Sequence, residues 1–315
     1  MRYLELGLAF SAFGFVVANA ALSLLTVCFW RAAKPARLRA GSLFWLRMFP
    51  AIGSTVLVLA LVLPAFLAFE PRETVERVGP ALVVLVLIAG ALVAAGLRRT
   101  LMSWRETRRL ERRWKDVAVG GASVGIPVRA FHVSSDQPLA ALVGVVRPRL
   151  FVSDRFLDAL TAGERQAVIE HEAGHLRSLD NLKRSAMKLT PDWLSFSSTG
   201  REIAAAWTLA AEEAADDHAA GPDRSRSLDL ASALLKASRL TPTRFATVSN
   251  FCDESTIARR VARLLEDPPA RRDPARSLGP RVAWTLAFLG VAALLAAPAS
   301  RAAYAMTEAV IRLVQ

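Results

Sequence analysis

The stretch AVIEHEAGHLRSLD, residues 167–180, places two histidines four positions apart, with a glutamate directly after the first. The whole chain holds only four histidines, so two in one pentapeptide is a signal that needs a reading. On an α-helix His171 and His175 stand one turn apart on the same face. Two imidazoles at that spacing can bind one tetrahedral zinc. Glu172 points about 100° further round, near enough to reach a water at such a metal but not placed to be a third ligand. A carboxylate there can take a proton from the water and deliver it to a leaving amine. Gly174 costs about 1 kcal/mol relative to alanine in a helix interior, and so predicts that another element approaches closely at that point.

Helix signals surround the motif. TAGE, residues 161–164, has the spacing of a capping box, with Thr161 and Glu164 as its two members. The helix is expected to run to about Lys188 and to be stopped by Pro191. Before it, IPVRAFHV and AALVGVVRPRLFVS are rich in β-branched residues and broken by Gly, Pro and Asp, which predicts two or three short strands. After it, Thr199 and Glu202 repeat the capping-box spacing, and Gly221-Pro222 marks the end of a second helix. Further helices are expected over 228–240 and 256–265, followed by a proline-rich linker.

A zinc that keeps one position for water needs a third protein ligand. AAEEAADDHAAG, residues 210–221, offers two i, i+4 pairs, Glu212 with Asp216 and Glu213 with Asp217. In either pair the glutamate could turn to the metal while the aspartate accepts from a ligand histidine and fixes its tautomer. Spacing alone leaves both pairs open. His218 lies six positions beyond Glu212 and reads as a non-ligand; His132, in a strand, reads as a packing residue.

Composition sets the surroundings. The chain is 53% hydrophobic, and four uncharged apolar stretches, 7–30, 48–69, 80–97 and 282–298, approach the roughly 17–25 residues that cross a bilayer. Arginines and lysines crowd the connection 31–47 and the segment after 97, whereas 70–79 is slightly acidic. Positive-inside bias then puts the N-terminus outside and residues 98–281 in the cytoplasm. The net charge of +12 is explained by anionic lipid at these juxtamembrane segments, and no nucleic-acid reading motif accompanies it. Cys28 lies in the first apolar stretch and Cys252 in the cytoplasmic part, so no structural disulfide is expected.

Three apolar segments, a cytoplasmic HEAGH, then EEAADD and a fourth span resemble the BlaR/MecR family of membrane zinc metallopeptidases. RPRLFVSDRFLDALTAGERQAVIEHEAGHLRSLD and PDWL are similar to that family's approach to its two active helices. The resemblance implies an α+β fold: a polytopic helical membrane protein of about four spans with a zincin-like, glutamate-zincin domain. The expected organisation is three transmembrane helices over 1–97 and a cytoplasmic metallopeptidase domain over 98–281. A fourth span over 282–298 and a short outer tail over 299–315 follow.

By resemblance His171, His175 and Glu212 bind one zinc per chain, Glu172 is the base, and Asp216 orients a histidine. Substrate is expected to pair as an added strand along Ala140, Ala141, Leu142, Val143 and Gly144. The implied setting is the plasma membrane of a bacterium, and the implied substrate a cytoplasmic protein such as a transcriptional repressor. The antibiotic-sensing members carry a large extracellular penicillin-binding domain after the last span. Here the sequence ends at Gln315, so the signal is expected from a membrane partner, from lipid or from the outer loops. Two other readings compete: an HtpX-like quality-control protease of the membrane, and a silent scaffold, against which the intact Glu172 argues.

Overall fold

A computed structural model describes residues 2–33, 38–71, 79–116, 118–123, 128–134, 140–240, 254–266 and 305. Three helices in it are long and apolar enough to cross a membrane. The first is α1 (Arg2–Ala33). The second runs Ala40–Phe69 and comprises α2 (Ala40–Leu57), a π-helical turn (Val58–Val62) and α3 (Leu63–Phe69). The π turn sits just ahead of Pro64, which has no N–H to give to the ladder. The third, α4 (Pro80–Asp116), continues the apolar segment straight into the basic segment after residue 97 as one rod about 55 Å long. The expected fourth span, 282–298, the linker before it and Cys252 lie outside the described residues.

A four-stranded sheet follows: β1 (Ala118–Ser123), β2 (Arg129–Val133), β3 (Ala140–Val143) and β4 (Arg149–Ser153). The order is β1-β2-β4-β3, with β2 and β4 parallel and the other two pairs antiparallel, which leaves β3 on an edge. The sequence predicts β2 to β4 but not β1, whose two adjacent glycines hide any alternation.

After the short α5 (Asp154–Ala159), α6 (Ala162–Ser178) starts at the predicted capping box, with Thr161 accepting from the Glu164 amide and Glu164 accepting from the Thr161 amide. The single long helix expected to Lys188 is in fact two. Leu179 adopts a left-handed conformation, φ 54°, and α7 (Asp180–Leu189) sets off in a new direction. A non-glycine residue there costs about 1–2 kcal/mol, and no Gly or Pro announces the break. The glutamate-bearing helix α8 (Ser198–Ala220) is capped by Ser197, which accepts from the Gly200 amide. It is not capped by Thr199 and Glu202, since Glu202 instead accepts from the Trp30 indole of α1. α9 (Arg224–Leu240) and α10 (Glu254–Leu265) complete the described chain.

Two apolar clusters hold the site's scaffold. Ala167 of α6 packs with Ala219, Leu230, Leu234, Ile257, Val261 and Leu264 from α8, α9 and α10. Sheet residues Ala130, Leu150 and Val152 pack with Phe156, Leu160, Ala173 and Ala233. A third contact joins this scaffold to the apolar helices. Leu43 of α2 packs with Met187, Trp207 and Ala211.

Beside that contact the connection from α7 to α8, residues 190–197, is held by polar groups of the apolar helices, of which Asn19 and Arg47 are buried. Asn19 of α1 donates to the Pro191 carbonyl and accepts from the Trp193 amide. Arg47 of α2 pairs with Asp192 at 2.7 Å, and Asp192 is completely buried. Arg99 of α4 donates to the carbonyls of Lys188 and Thr190. Of these, Asn19 lies inside an apolar run, whereas Arg47 and Arg99 lie in the basic segments that flank such runs. The buried Asn19 and Arg47 are satisfied by the loop, as a buried polar group must be.

Candidate metal centre

α6 and α8 cross closely, and Gly174 is the reason they can. A Cβ built there would lie 3.0 Å from the Ala215 Cα, 3.2 Å from the His218 Cβ and 3.3 Å from the Ala215 Cβ. This is the close approach that the sequence predicted. It brings α8 so near that Glu212, three residues before Ala215, reaches both histidines. The His171 Nε2 lies 3.5 Å from one Glu212 oxygen, and the His175 Nε2 lies 3.6 Å from the other. One donor atom from each of the three residues falls within 4.8 Å of the others, the only such group among the described residues.

Each histidine is held by its far nitrogen. The His171 Nδ1 is 3.0 Å from Asp216, and the His175 Nδ1 is 2.8 Å from Asp180. With Nδ1 bonded to a carboxylate, Nε2 is the nitrogen left to face a metal, the usual arrangement around ligand histidines. The donor set therefore fits a zinc ion: two imidazoles and a carboxylate converge, and their outer partners are already in place.

The two acidic pairs of α8 separate cleanly. Glu212 and Asp216 face the histidines, whereas Glu213 and Asp217 turn to Arg259 and Arg263 of α10. Arg260, also on α10 and 1% exposed, gives two hydrogen bonds to Asp216 at 2.8 and 2.7 Å and lies 3.1 Å from Glu212. Sequence reasoning missed Asp180 and Arg260. Asp180 is five positions after His175, and only the break at Leu179 swings it back. Arg260 carried a signal, since it sits in the apolar stripe Ile257, Arg260, Val261, Leu264 at i, i+3, i+4, i+7.

The charges are strongly coupled. Burial alone would lower the His175 imidazole, but Asp180 and Glu212 outweigh it and hold its pKa up at about 10. His171 is likewise raised, against its burial, by Asp216 and Glu212. Burial favours the neutral form of Glu212, yet the two imidazoles pull its carboxyl well below the ordinary value. A metal takes the unprotonated Nε2 of each imidazole, so metal binding and proton release are linked at this site. Glu172 behaves differently. Burial first, with Glu212 nearby, pushes its carboxyl above the usual range despite the pull of the histidines and of the Leu142 amide. Its carboxylate accepts from that amide at 3.1 Å, which puts Glu172 between the histidine pair and the edge strand β3.

The remaining histidines stand apart from the cluster. His218 lies 3.8 Å from Glu170, and His132, on the interior strand β2, lies 3.4 Å from Asp154. Of the expected substrate edge, Ala140 to Val143 form β3 and Gly144 ends it with φ 109°.

No curated protein matches the chain at a significant level. Residues 104–245, from the end of α4 through α9, match the family model for peptidase family M48, a family of zinc metallopeptidases, and this supports a metallopeptidase domain behind three membrane-type helices.

Proposed function

We propose that the chain is an integral membrane zinc endopeptidase. The observation that carries this reading is the convergence of His171, His175 and Glu212, with Glu172 beside them and an edge strand within its reach. His171, His175 and Glu212 would hold one zinc per chain. Bound there, zinc supplies polarisation of the scissile carbonyl and acidifies a water. Glu172 takes the proton from the attacking water and passes it to the leaving nitrogen; its raised carboxyl suits a group that must carry a proton in mid-reaction. Asp216 and Asp180 keep the two imidazoles in the tautomer that presents Nε2. Arg260 holds Asp216 in place and compensates the carboxylates.

The domain faces the cytoplasm in this reading, with α4 entering it from the membrane and residues up to 281 belonging to it. The resemblance to BlaR/MecR-type peptidases favours regulated cleavage of one cytoplasmic protein, such as a transcriptional repressor, under a signal from a membrane partner, lipid or the outer loops. The test compares new protein N-termini in native membranes between wild type and Glu172→Gln, which keeps the ligands but removes the base. One or a few lost products support the regulated reading. Loss of products from many membrane proteins favours an HtpX-like quality-control role. Matching maps favour a silent scaffold.

A further inference from the structure

The edge strand β3 is already partly occupied by the protein itself. In its antiparallel pairing with β4, Leu142 stands opposite Leu150, and its backbone groups point away from β4. By the two-residue period of a strand, Ala140 and Gly144 share that outward side. Any added strand must use these residues. The Leu142 N–H is taken by Glu172 at 3.1 Å. The carbonyls of Leu142 and Gly144 are both taken by one nitrogen, the Asn181 Nδ2, at 2.9 and 3.0 Å.

One amide nitrogen has two hydrogens and can serve two carbonyls, but not across a straight strand. Same-side carbonyls there are about 6.6 Å apart, further than these two bonds can bridge. The positive φ of Gly144 curls the strand end and brings the carbonyls together. Asn181 itself is placed by the left-handed Leu179, two residues earlier, in the same turn that swings Asp180 onto His175. The clamp is thus built into the turn that orients a candidate metal ligand, with two hydrogen bonds in good geometry.

We propose that Asn181 is a specificity-determining residue. It stands in for a substrate strand at the Leu142 and Gly144 carbonyls and so confines pairing to the Ala140 end of β3. A bound chain exchanges with Glu172 for the Leu142 N–H but finds no acceptors beyond it. The enzyme therefore requires few ordered substrate residues on that side of the cut. This inference rests on the peptidase reading above.

The test uses the zinc-loaded full-length protein in nanodiscs and one synthetic peptide chosen from those that the wild type cuts in a degenerate library. Backbone N-methylation, one position at a time, removes each substrate N–H in turn. For the wild type, methylating the N–H groups that would meet the Leu142 and Gly144 carbonyls changes kcat/KM less than twofold. In Asn181→Ala those carbonyls become available, so the same methylations lower kcat/KM about fivefold each, the size of an ordinary hydrogen bond. Zinc content stays that of the wild type. If Asn181→Ala loses zinc or melts early, Asn181→Asp carries the test, being equal in size with no N–H to give. Identical methylation profiles in wild type and variant overturn the assignment of Asn181 alone. Failure of the wild type to cut any library peptide, together with matching N-terminus maps for wild type and Glu172→Gln in native membranes, overturns the peptidase reading and the inference with it.

Discussion

Gly174→Ala sets two effects of known size against each other. In an exposed helix interior the change would stabilise by about 1 kcal/mol, because alanine loses less backbone entropy than glycine. Here the added methyl would stand 3.0 Å from the Ala215 Cα, with the His218 and Ala215 Cβ atoms at 3.2 and 3.3 Å. The nearest of these is backbone, so relief requires α8 to give way from α6 by a few tenths of an ångström. Overpacking of this kind costs about 1–3 kcal/mol, and the net expectation is a loss of about 1 kcal/mol. The more telling effect is on the metal. Ala215 is one turn from Glu212, so retreat of α8 draws that carboxylate away from His171 and His175. We expect zinc affinity to fall about tenfold, measured by competition with a chromophoric chelator on the full-length protein, alongside its melting temperature. A variant that melts later than wild type and binds zinc equally well would refute the claim that this crossing sets the site.

Other consequences follow from single contacts. Asp180→Asn keeps the size of the side chain that holds His175 but removes its charge; zinc affinity should drop about 10- to 100-fold, and an unchanged value would mean that the contact does not orient the ligand. Arg47→Met leaves Asp192 buried without its partner and should cost about 3–5 kcal/mol in thermal melts in nanodiscs. Arg47→Met with Asp192→Asn should recover much of that, since the neutral side chain can still accept from the Ser195 amide; a double variant as unstable as the single one would contradict this. Glu164 is held near pKa 2, against its burial, by Lys236, Ser232 and the Thr161 amide, from an ordinary 4.5. Its folded pKa is depressed, so its contribution is fully present above about pH 4.5 and is lost as pH falls toward 2. At most about 3 kcal/mol is at stake, and Glu164→Gln should flatten this part of the stability–pH curve.

Much of the candidate site was legible in the sequence because its signals are local. The capping box at Thr161, the spacing of His171 and His175, and the glycine between them each follow from helix geometry, and all three hold in the structure. The choice between Glu212 and Glu213 needed the family resemblance, since both pairs have the same spacing. The structure turns Glu212 and Asp216 inward and Glu213 outward. What escaped was tertiary or conformational. Leu179 breaks the helix with a residue that rarely does so, and with the break came Asp180 and Asn181. Arg260 reaches the site from α10, more than forty residues beyond Asp216 and past the segment that matches the family. The docking of residues 190–197 against Asn19, Arg47 and Arg99 was equally hidden. In the sequence, Asn19 is one polar residue in an apolar run, and the two arginines read as part of a basic flank.

The most direct test of the account is the metal content of the full-length protein, purified without chelators and measured by inductively coupled plasma mass spectrometry. The account predicts about one zinc per chain in the wild type and in Glu172→Gln, with most of it lost in His171→Ala, His175→Ala and Glu212→Ala. Zinc retained at full stoichiometry by all three ligand variants, or a wild type that takes up no zinc even when supplied, would contradict it.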